Sequence, residues 1–426
     1  MKKLLTIIGS LSICTLPVTT IISCDSTRNT FDIVFIPSVN ATDIQNTIKP
    51  LEEALQKYLK EKDSTFNKPV KITTATDYEA AGSSLKNGKS DLAFLPVNTY
   101  ASYRGSSNDD GTYKDAGVLL ISSRNGLNAE TNYDKFKVGD DFSDFEASKQ
   151  DLSFEDLSGL ALNYNKLLSD NLNLNEEENS DKLDLTVDNV SNTLFDKNNM
   201  VSYYRSYVFA NKSWLESEKN NNTSYSSKSL DEFIKDKEVM KNLILSAGKG
   251  LSMGKSLTSS GSVLYPLLWM KKSLGLSDEN LRDVYKNSSR QNGYPDAARL
   301  VSINGDVKMS VGYGDIRYDL KGNVADMKTA FKNSIVIAST TGIPNDGIMY
   351  SRKTVNETLV STLRSAFQTF VKDPNLKSVF DLYNHNQYIG LKTEQTSLEY
   401  EKEREKLISD NFENIEPIIQ LTKNFN

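Results

Sequence analysis

The 426 residues predict an α/β protein with more than one lobe, on three observations. A strand–helix–strand–helix–strand run over residues 31–96 implies a parallel sheet with helices on its faces. Strands and helices resume after residue 200, beyond a polar, acid-rich stretch. Size is the third: about 400 residues remain after the N-terminal segment, more than one compact core holds.

Met1-Lys2-Lys3 is a basic end followed by an apolar run to Leu16, a secretory signal pattern too short and interrupted to span a membrane. It ends Ile21-Ile22-Ser23-Cys24, which resembles a bacterial lipobox. Residues 1–23 are therefore expected to be removed and Cys24 lipidated, with 24–30 as a tether. A lipoprotein cysteine carrying two or three acyl chains is a durable anchor where one chain is marginal. The other cysteine, Cys14, lies inside the removed segment, so neither a disulfide nor a free thiol is expected afterwards. Removing Lys2 and Lys3 takes the formal charge from -6 to -8. Such an acidic chain argues against sequence-independent nucleic-acid binding, which depends on Lys and Arg.

Phe31 to Pro37 reads as a short buried strand ended by proline. Pro50 to Lys60 is an amphipathic helix with Leu51, Ala54, Leu55 and Leu59 inward and proline in its first turn. Val70 to Ala75 and Asp91 to Pro96 are the next strands, with a helix over Glu79 to Asn87 between them. Thr76-Asp77-Tyr78, and Asn98 with Tyr100, stand just past strand ends, where open α/β sheets bind ligands. Gly117 to Ser123 is a further strand. Residues 126–199 hold 17 acidic and 6 basic side chains, and read as a solvated insertion with one helix near 157–168. Glu176-Glu177-Glu178 lacks the Asp-x-Asp-x-Asp-Gly context of a calcium loop.

Val201 to Phe209 is an aromatic-rich strand, and Leu230 to Ile234 a short helix. Helices are expected over Ser277–Tyr285 and Pro295–Asn304, and strands over Lys308–Tyr313 and Ile335–Ser339. Ile343 to Tyr350 reads as a turn and a returning strand. Helices then cover Glu357–Val371 and Ser378–Leu382, with a charged helix over Gln395–Gln420.

One stretch carries chemistry. Gly254-Lys255-Ser256-Leu257-Thr258-Ser259-Ser260-Gly261 precedes an apolar segment in which Val263, Leu267 and Leu274 share one helical face. Ser259 or Ser260 suits the N-cap, since its oxygen accepts an orphan N–H of the first turn. A helix start offers free N–H groups and the positive end of the macrodipole, so it attracts oxyanions. The neighbouring hydroxyls add uncharged donors, whereas Lys255 reads as a solvated lysine.

Four segments together resemble the phosphate/phosphite/phosphonate-binding lipoproteins of ABC transporters, which are type II periplasmic-binding proteins. Thr76-Asp77-Tyr78 is similar to that family's Thr-Asp-Tyr segment, and Asp91-Leu92-Ala93-Phe94 to its Asp-Val-Ala-aromatic strand. Thr258-Ser259-Ser260-Gly261, followed by Tyr265-Pro266, is similar to its oxyanion-binding Ser-Thr-Ser-Gly segment. Ile343-Pro344-Asn345-Asp346 is similar to its Ile-Pro-Gly-Asp turn. The likeness covers residues 31–123 and 200–372, leaving the insertion and the tail without counterparts. Two departures stand out. Tyr294-Pro295 occupies the place of a frequent histidine, for which Tyr294 or Gln291 would substitute, and Lys308 replaces an aspartate.

The resemblance implies a two-lobe type II periplasmic-binding-protein fold with the ligand cleft between the lobes. Lobe one would be residues 31–207 plus 345–426, including the insertion at 126–199, and lobe two 208–344. The oxyanion would sit on Thr258, Ser259 and Ser260, with Tyr78 donating from the opposite lobe. Asp315 and Asp346 would face an amino group or a protonated oxygen of the ligand, and Asn98 and Tyr313 would be wall residues. The partners implied are a small phosphorus oxyanion and the permease and ATPase of an importer, for a monomer anchored on the outer face of the cell membrane through Cys24, without a cofactor.

An enzyme has little support: the only histidine, His385, lies in a polar segment where a surface role is the default. No zinc histidine pair is present, and Lys249 stands where a P-loop before Gly254-Lys255-Ser256 needs glycine. A binding lipoprotein for thiamine or another organophosphate keeps the fold and adds an aromatic clamp, for which Trp214 and Trp269 are the tryptophan candidates. A surface adhesin that kept the fold would account for the acidic insertion.

Overall fold

The computed structural model describes residues 28–37, 47–133, 152–174 and 185–425. The signal segment, Cys24, most of the tether and Glu176–Glu178 lie outside these residues. No helix among the described residues is long and apolar enough to cross a membrane.

The first lobe is built on β1 (Phe31–Phe35), β2 (Val70–Thr74) and β3 (Leu92–Leu95), linked by α1 (Lys49–Lys62) and α2 (Tyr78–Lys86). β1 pairs in parallel with both β2 and β3, as the βαβαβ run requires. α1 buries Leu51, Leu55 and Leu59, the predicted stripe. The carboxylate of Asp77 caps α2 by accepting the Ala80 N–H at 2.6 Å, which places Tyr78 as the first helical residue. After β3 comes α3 (Val97–Tyr103), then β4 (Ala116–Leu127). The sheet is completed by antiparallel β5 (Phe195–Val201), β11 (Gly347–Ser351) and β12 (Gln387–Tyr388), in the order β12-β4-β11-β3-β1-β2 with β5 beside β4.

The second lobe carries β6 (Tyr203–Asn211), β7 (Leu251–Gly254), β8 (Ser289–Gln291), β9 (Met309–Tyr313) and β10 (Ser334–Pro344), in the order β10-β6-β9-β7-β8. The expected division at 207/208 is corrected. Tyr203 already pairs with Pro344 in the second sheet, so the chain changes lobe at Ser202. It returns at Asn345-Asp346. Asn345 ties the two crossings together: its N–H donates to Ser202 O, and its Nδ2 donates to Ser122 O and Val201 O.

The insertion is also corrected where it is described. Helix α4 (Phe154–Leu172) packs on the second lobe, with Ala161, Tyr164 and Leu168 in one core with Tyr207, Phe209 and Val336. Asn165 exchanges two hydrogen bonds with the backbone of Val336. Phe154, Leu157, Ala161, Tyr164, Leu168 and Leu172 form a regular apolar stripe; the acidic composition around it masked the pattern. Helix α4 therefore covers lobe two, while β5 at the end of the segment pairs with β4 of lobe one. Helices over Lys212–Asn221, Lys237–Ser246 and Val324–Asn333 add to the elements expected from the sequence.

Among the remaining helices are α5 (Tyr265–Lys272), α6 (Tyr294–Ser302) and α7 (Glu357–Phe370). The last helix, α8 (Ser397–Thr422), joins the lobes. Tyr400 and Ile408 belong to the first core, and Ile415, Ile418, Ile419 and Leu421 to the second. Its first half is pinned to lobe one by buried polar contacts. Arg104 pairs with Glu405 at 2.6 Å, Tyr100 donates to the same carboxylate, and Tyr350 donates to Glu401 at 3.0 Å.

Candidate functional site

The hydroxyl-rich stretch forms the start of a helix, though not as a simple cap. Ser260–Leu264 make a π-helical turn that runs directly into α5, with extended Ser259 before it. Ser259 O accepts from both Val263 N and Leu264 N. Its side chain does not cap; Ser259 Oγ instead lies 2.7 Å from Ser262 Oγ. The N–H groups of a first turn have no partner within their helix, and Ser259, Ser260 and Gly261 of this turn line the cleft. Gly261 is required by a close approach, since a Cβ there would lie 3.0 Å from both Tyr294 Oη and Tyr313 Cβ.

Around this turn the two lobes enclose a small cavity of about 20 Å³. Lobe one supplies Tyr78, Pro96, Arg124, Asp346 and Tyr383; lobe two supplies Tyr204, Ser259, Ser260, Gly261, Tyr294 and Tyr313. The cleft is shut by direct bonds. Tyr78 N donates to Ser256 Oγ at 3.2 Å, Thr258 N to Glu79 Oε1 at 3.0 Å, and Asn98 Nδ2 to Ser260 Oγ at 3.1 Å. Asn384, in the left-handed region at φ 54°, donates to Tyr313 Oη at 2.8 Å from the far side.

Of the nine ligand residues expected from the sequence, six line the cavity: Tyr78, Ser259, Ser260, Tyr294, Tyr313 and Asp346. Thr258 does not. Its N–H is given to Glu79 and its hydroxyl accepts from Thr99 at 3.3 Å, so it latches the lobes. Asn98 stands behind Ser260 as its donor. Asp315 is a correction: Arg317 grips both its oxygens, from Nε at 2.9 Å and Nη2 at 2.7 Å, and Tyr164 donates at 3.0 Å. Both partners of this ion pair are 1% exposed, so Asp315 is a structural residue beneath α4. Gln291 is likewise occupied, donating to Val311 O and accepting from Ser252. Lys255 is exposed and bonded to Asn292.

The decisive residue missed in the sequence is Arg124, on β4. It is 8% exposed, lies 4.5 Å from the Tyr204 ring centroid and 5.5 Å from that of Tyr313, and its Nε has no hydrogen-bond partner. Facing it is Asp346. Burial pushes the Asp346 carboxyl up to about 6, a shift opposed by Arg124 and by a hydrogen bond from Tyr204. Asp346 Oδ1 has neither solvent contact nor a partner. Burial also raises the phenols of Tyr78, Tyr204, Tyr294, Tyr313 and Tyr383, so all five remain neutral O–H groups. The cavity thus presents one guanidinium, one carboxyl close to its titration point, and a shell of neutral hydroxyls.

His385 is not a surface residue. It is 2% exposed, stacks on Phe94 at 5.6 Å, and is held neutral by burial and by Arg124, which lower its pKa to about 3. Trp269 is packed in the lobe-two core and Trp214 is half-buried on its helix; neither lines the cavity.

Two solved structures share this architecture. Mh-p37 from Mycoplasma hyorhinis, described as a candidate thiamine pyrophosphate transporter, matches with a TM-score of 0.54 at 16% identity, over 89% of this chain and 98% of its own. PhnD1 from Prochlorococcus marinus, solved with methylphosphonate, matches with a TM-score of 0.51 at 12% identity, over 91% of this chain and 99% of its own. No protein-family model matches the chain, and no curated protein matches it in sequence. At such identities the likeness carries the fold. The chain has the two-lobe fold of the type II periplasmic-binding proteins.

Proposed function

We propose that the chain is the substrate-binding protein of an ABC importer, and that it holds a small phosphorus oxyanion of the phosphate, phosphite or phosphonate type between its lobes. The observation that carries this reading is the enclosed cavity in which Arg124 faces Ser259, Ser260 and a ring of tyrosine hydroxyls at a helix start. Arg124 supplies the charge, and its partnerless Nε is a donor still to be satisfied. Each charge-assisted bond contributes roughly 1.5–3 kcal/mol, so three or four support affinity in the micromolar range or tighter.

Asp346 sharpens the ligand's description. A carboxylate and an oxyanion in one small cavity must share a proton, or the ligand must bring a cationic arm. With the Asp346 carboxyl already raised to about 6, the first needs no group beyond those lining the cavity. Both tryptophans lie elsewhere, so no tryptophan clamp for a thiamine ring lines the cavity. The lipobox-like residues before Cys24 support a lipid-anchored protein on the outer membrane face, working as a monomer with a permease and an ATPase.

Thermal melting of the purified chain with methylphosphonate, phosphite, phosphate, aminoethylphosphonate and thiamine pyrophosphate tests this. A rise with one or more of the first three supports the reading. No shift with any phosphorus compound would sink it, and a rise confined to thiamine pyrophosphate would transfer the site to the alternative.

A further inference from the structure

We propose that Asn411, on the lobe-joining helix α8, is a positioning residue that sets the Ser260 hydroxyl as a donor into the cavity. The inference rests on the oxyanion reading and adds an element that the sequence resemblance does not cover. A line of hydrogen bonds crosses the molecule. Tyr265 Oη donates to Asn411 Oδ1 at 2.9 Å, Asn411 Nδ2 donates to Asn98 Oδ1 at 3.2 Å, and Asn98 Nδ2 donates to Ser260 Oγ at 3.1 Å. All four side chains are at least 97% buried. The line draws on three parts of the fold: Asn98 from lobe one, Ser260 and Tyr265 from lobe two, and Asn411 from α8 between them.

Direction is what matters along this line. An amide has one donor end and one acceptor end, so fixing one amide fixes the next. With Asn98 donating to its oxygen, Ser260 has its own hydrogen left over. Among the described residues Ser260 Oγ makes no other hydrogen bond, and the residue lines the cavity. The hydrogen therefore points to where an oxyanion sits. Were the line reversed, Ser260 would donate to Asn98 Oδ1 and turn only lone pairs toward the anion, which repel it. Asn411 holds Asn98 in the useful orientation. Because Asn98 and Ser260 belong to opposite lobes, the donor is set only when the cleft is closed.

The test is a double-mutant cycle on the full chain, purified in detergent, titrated by calorimetry with whichever of methylphosphonate, phosphite or phosphate the wild type binds best. Asn411→Leu removes the amide without adding charge and is expected to weaken binding about tenfold, the order of one charge-assisted bond. In a Ser260→Ala background the same change should cost less than about twofold, because the group it acts through is gone. A packing role alone would give equal losses in both backgrounds, and equal losses overturn the relay. Tyr265→Phe removes the hydroxyl that Asn411 Oδ1 accepts, with little change of shape; its loss of roughly threefold should also vanish with Ser260→Ala, so the test stands even if Asn411→Leu folds poorly. A wild type that binds none of the three probes overturns the oxyanion reading, and the relay with it.

Discussion

On the proposed reading Arg124 and Asp346 set what the cavity accepts, and each makes a separate prediction. Arg124 is the only cation among the lining residues. Replacing it with alanine leaves a small polar cavity with no positive charge, so oxyanion binding should weaken by about a hundredfold or more, the upper end for a bond to a charged group. Asp346 governs the pH dependence. Its carboxyl, already raised to about 6, is pushed higher still by a bound anion, so binding takes up a proton. By linkage, affinity then falls as pH rises above about 6, and Asp346→Asn should flatten the profile between pH 6 and 8. An unchanged profile in that variant would place the shared proton elsewhere. Asp315 predicts the opposite kind of effect. Asp315→Ala leaves Arg317 buried without its partner and should destabilise lobe two by about 3–5 kcal/mol, read as a lower melting temperature before any ligand is added.

At the scale of elements, α8 acts as a strap whose attachment depends on buried carboxyls. Glu405 is 1% exposed and burial pushes its pKa up to about 7 despite Arg104 and Tyr100. A carboxyl raised in the folded state stabilises the fold fully below the unfolded value near 4.3, and that contribution is lost as pH rises through 7. Protection factors over residues 397–411, corrected for the intrinsic exchange rate at each pH, should therefore be higher at pH 5 than at pH 8, and Glu405→Gln should remove most of the difference. Equal protection at both pH values in the wild type would show that Glu405 keeps its charge throughout. The strand and helix boundaries were legible because their signals are local: Pro50, the Asp77 cap and the Leu51–Leu55–Leu59 spacing each act within a turn or two. The ownership of α4 was not. Its stripe is periodic, but which sheet it covers depends on contacts with Tyr207 and Val336, far away in the chain.

At the scale of the molecule, the two lobes meet over a cavity that no single segment encodes. Tyr78, Ser259, Ser260 and Asp346 were legible because each sits in a short motif beside a strand end or a helix start. Arg124 was hidden for a physical reason: it lies in β4 with no motif around it, and it becomes the site's cation only when Tyr204 and Tyr313 of the other lobe close on it. Asp315 misled because an acid just past a strand looks the same in sequence whether it faces a ligand or an arginine two residues on. The bonds that shut the cleft, among them Tyr78 to Ser256, Thr258 to Glu79 and Asn98 to Ser260, are polar. Opening exchanges them for water, and on the proposed reading a bound anion adds to what holds the closed form.

The most direct measurement of the central claim is calorimetric titration of the wild-type chain and Arg124→Ala with methylphosphonate, phosphite and phosphate. Saturable one-to-one binding in the micromolar range or tighter for the wild type, weakened about a hundredfold or more in an Arg124→Ala chain that still melts cooperatively, is the predicted result. Equal binding by both proteins, or none by the wild type, would contradict it.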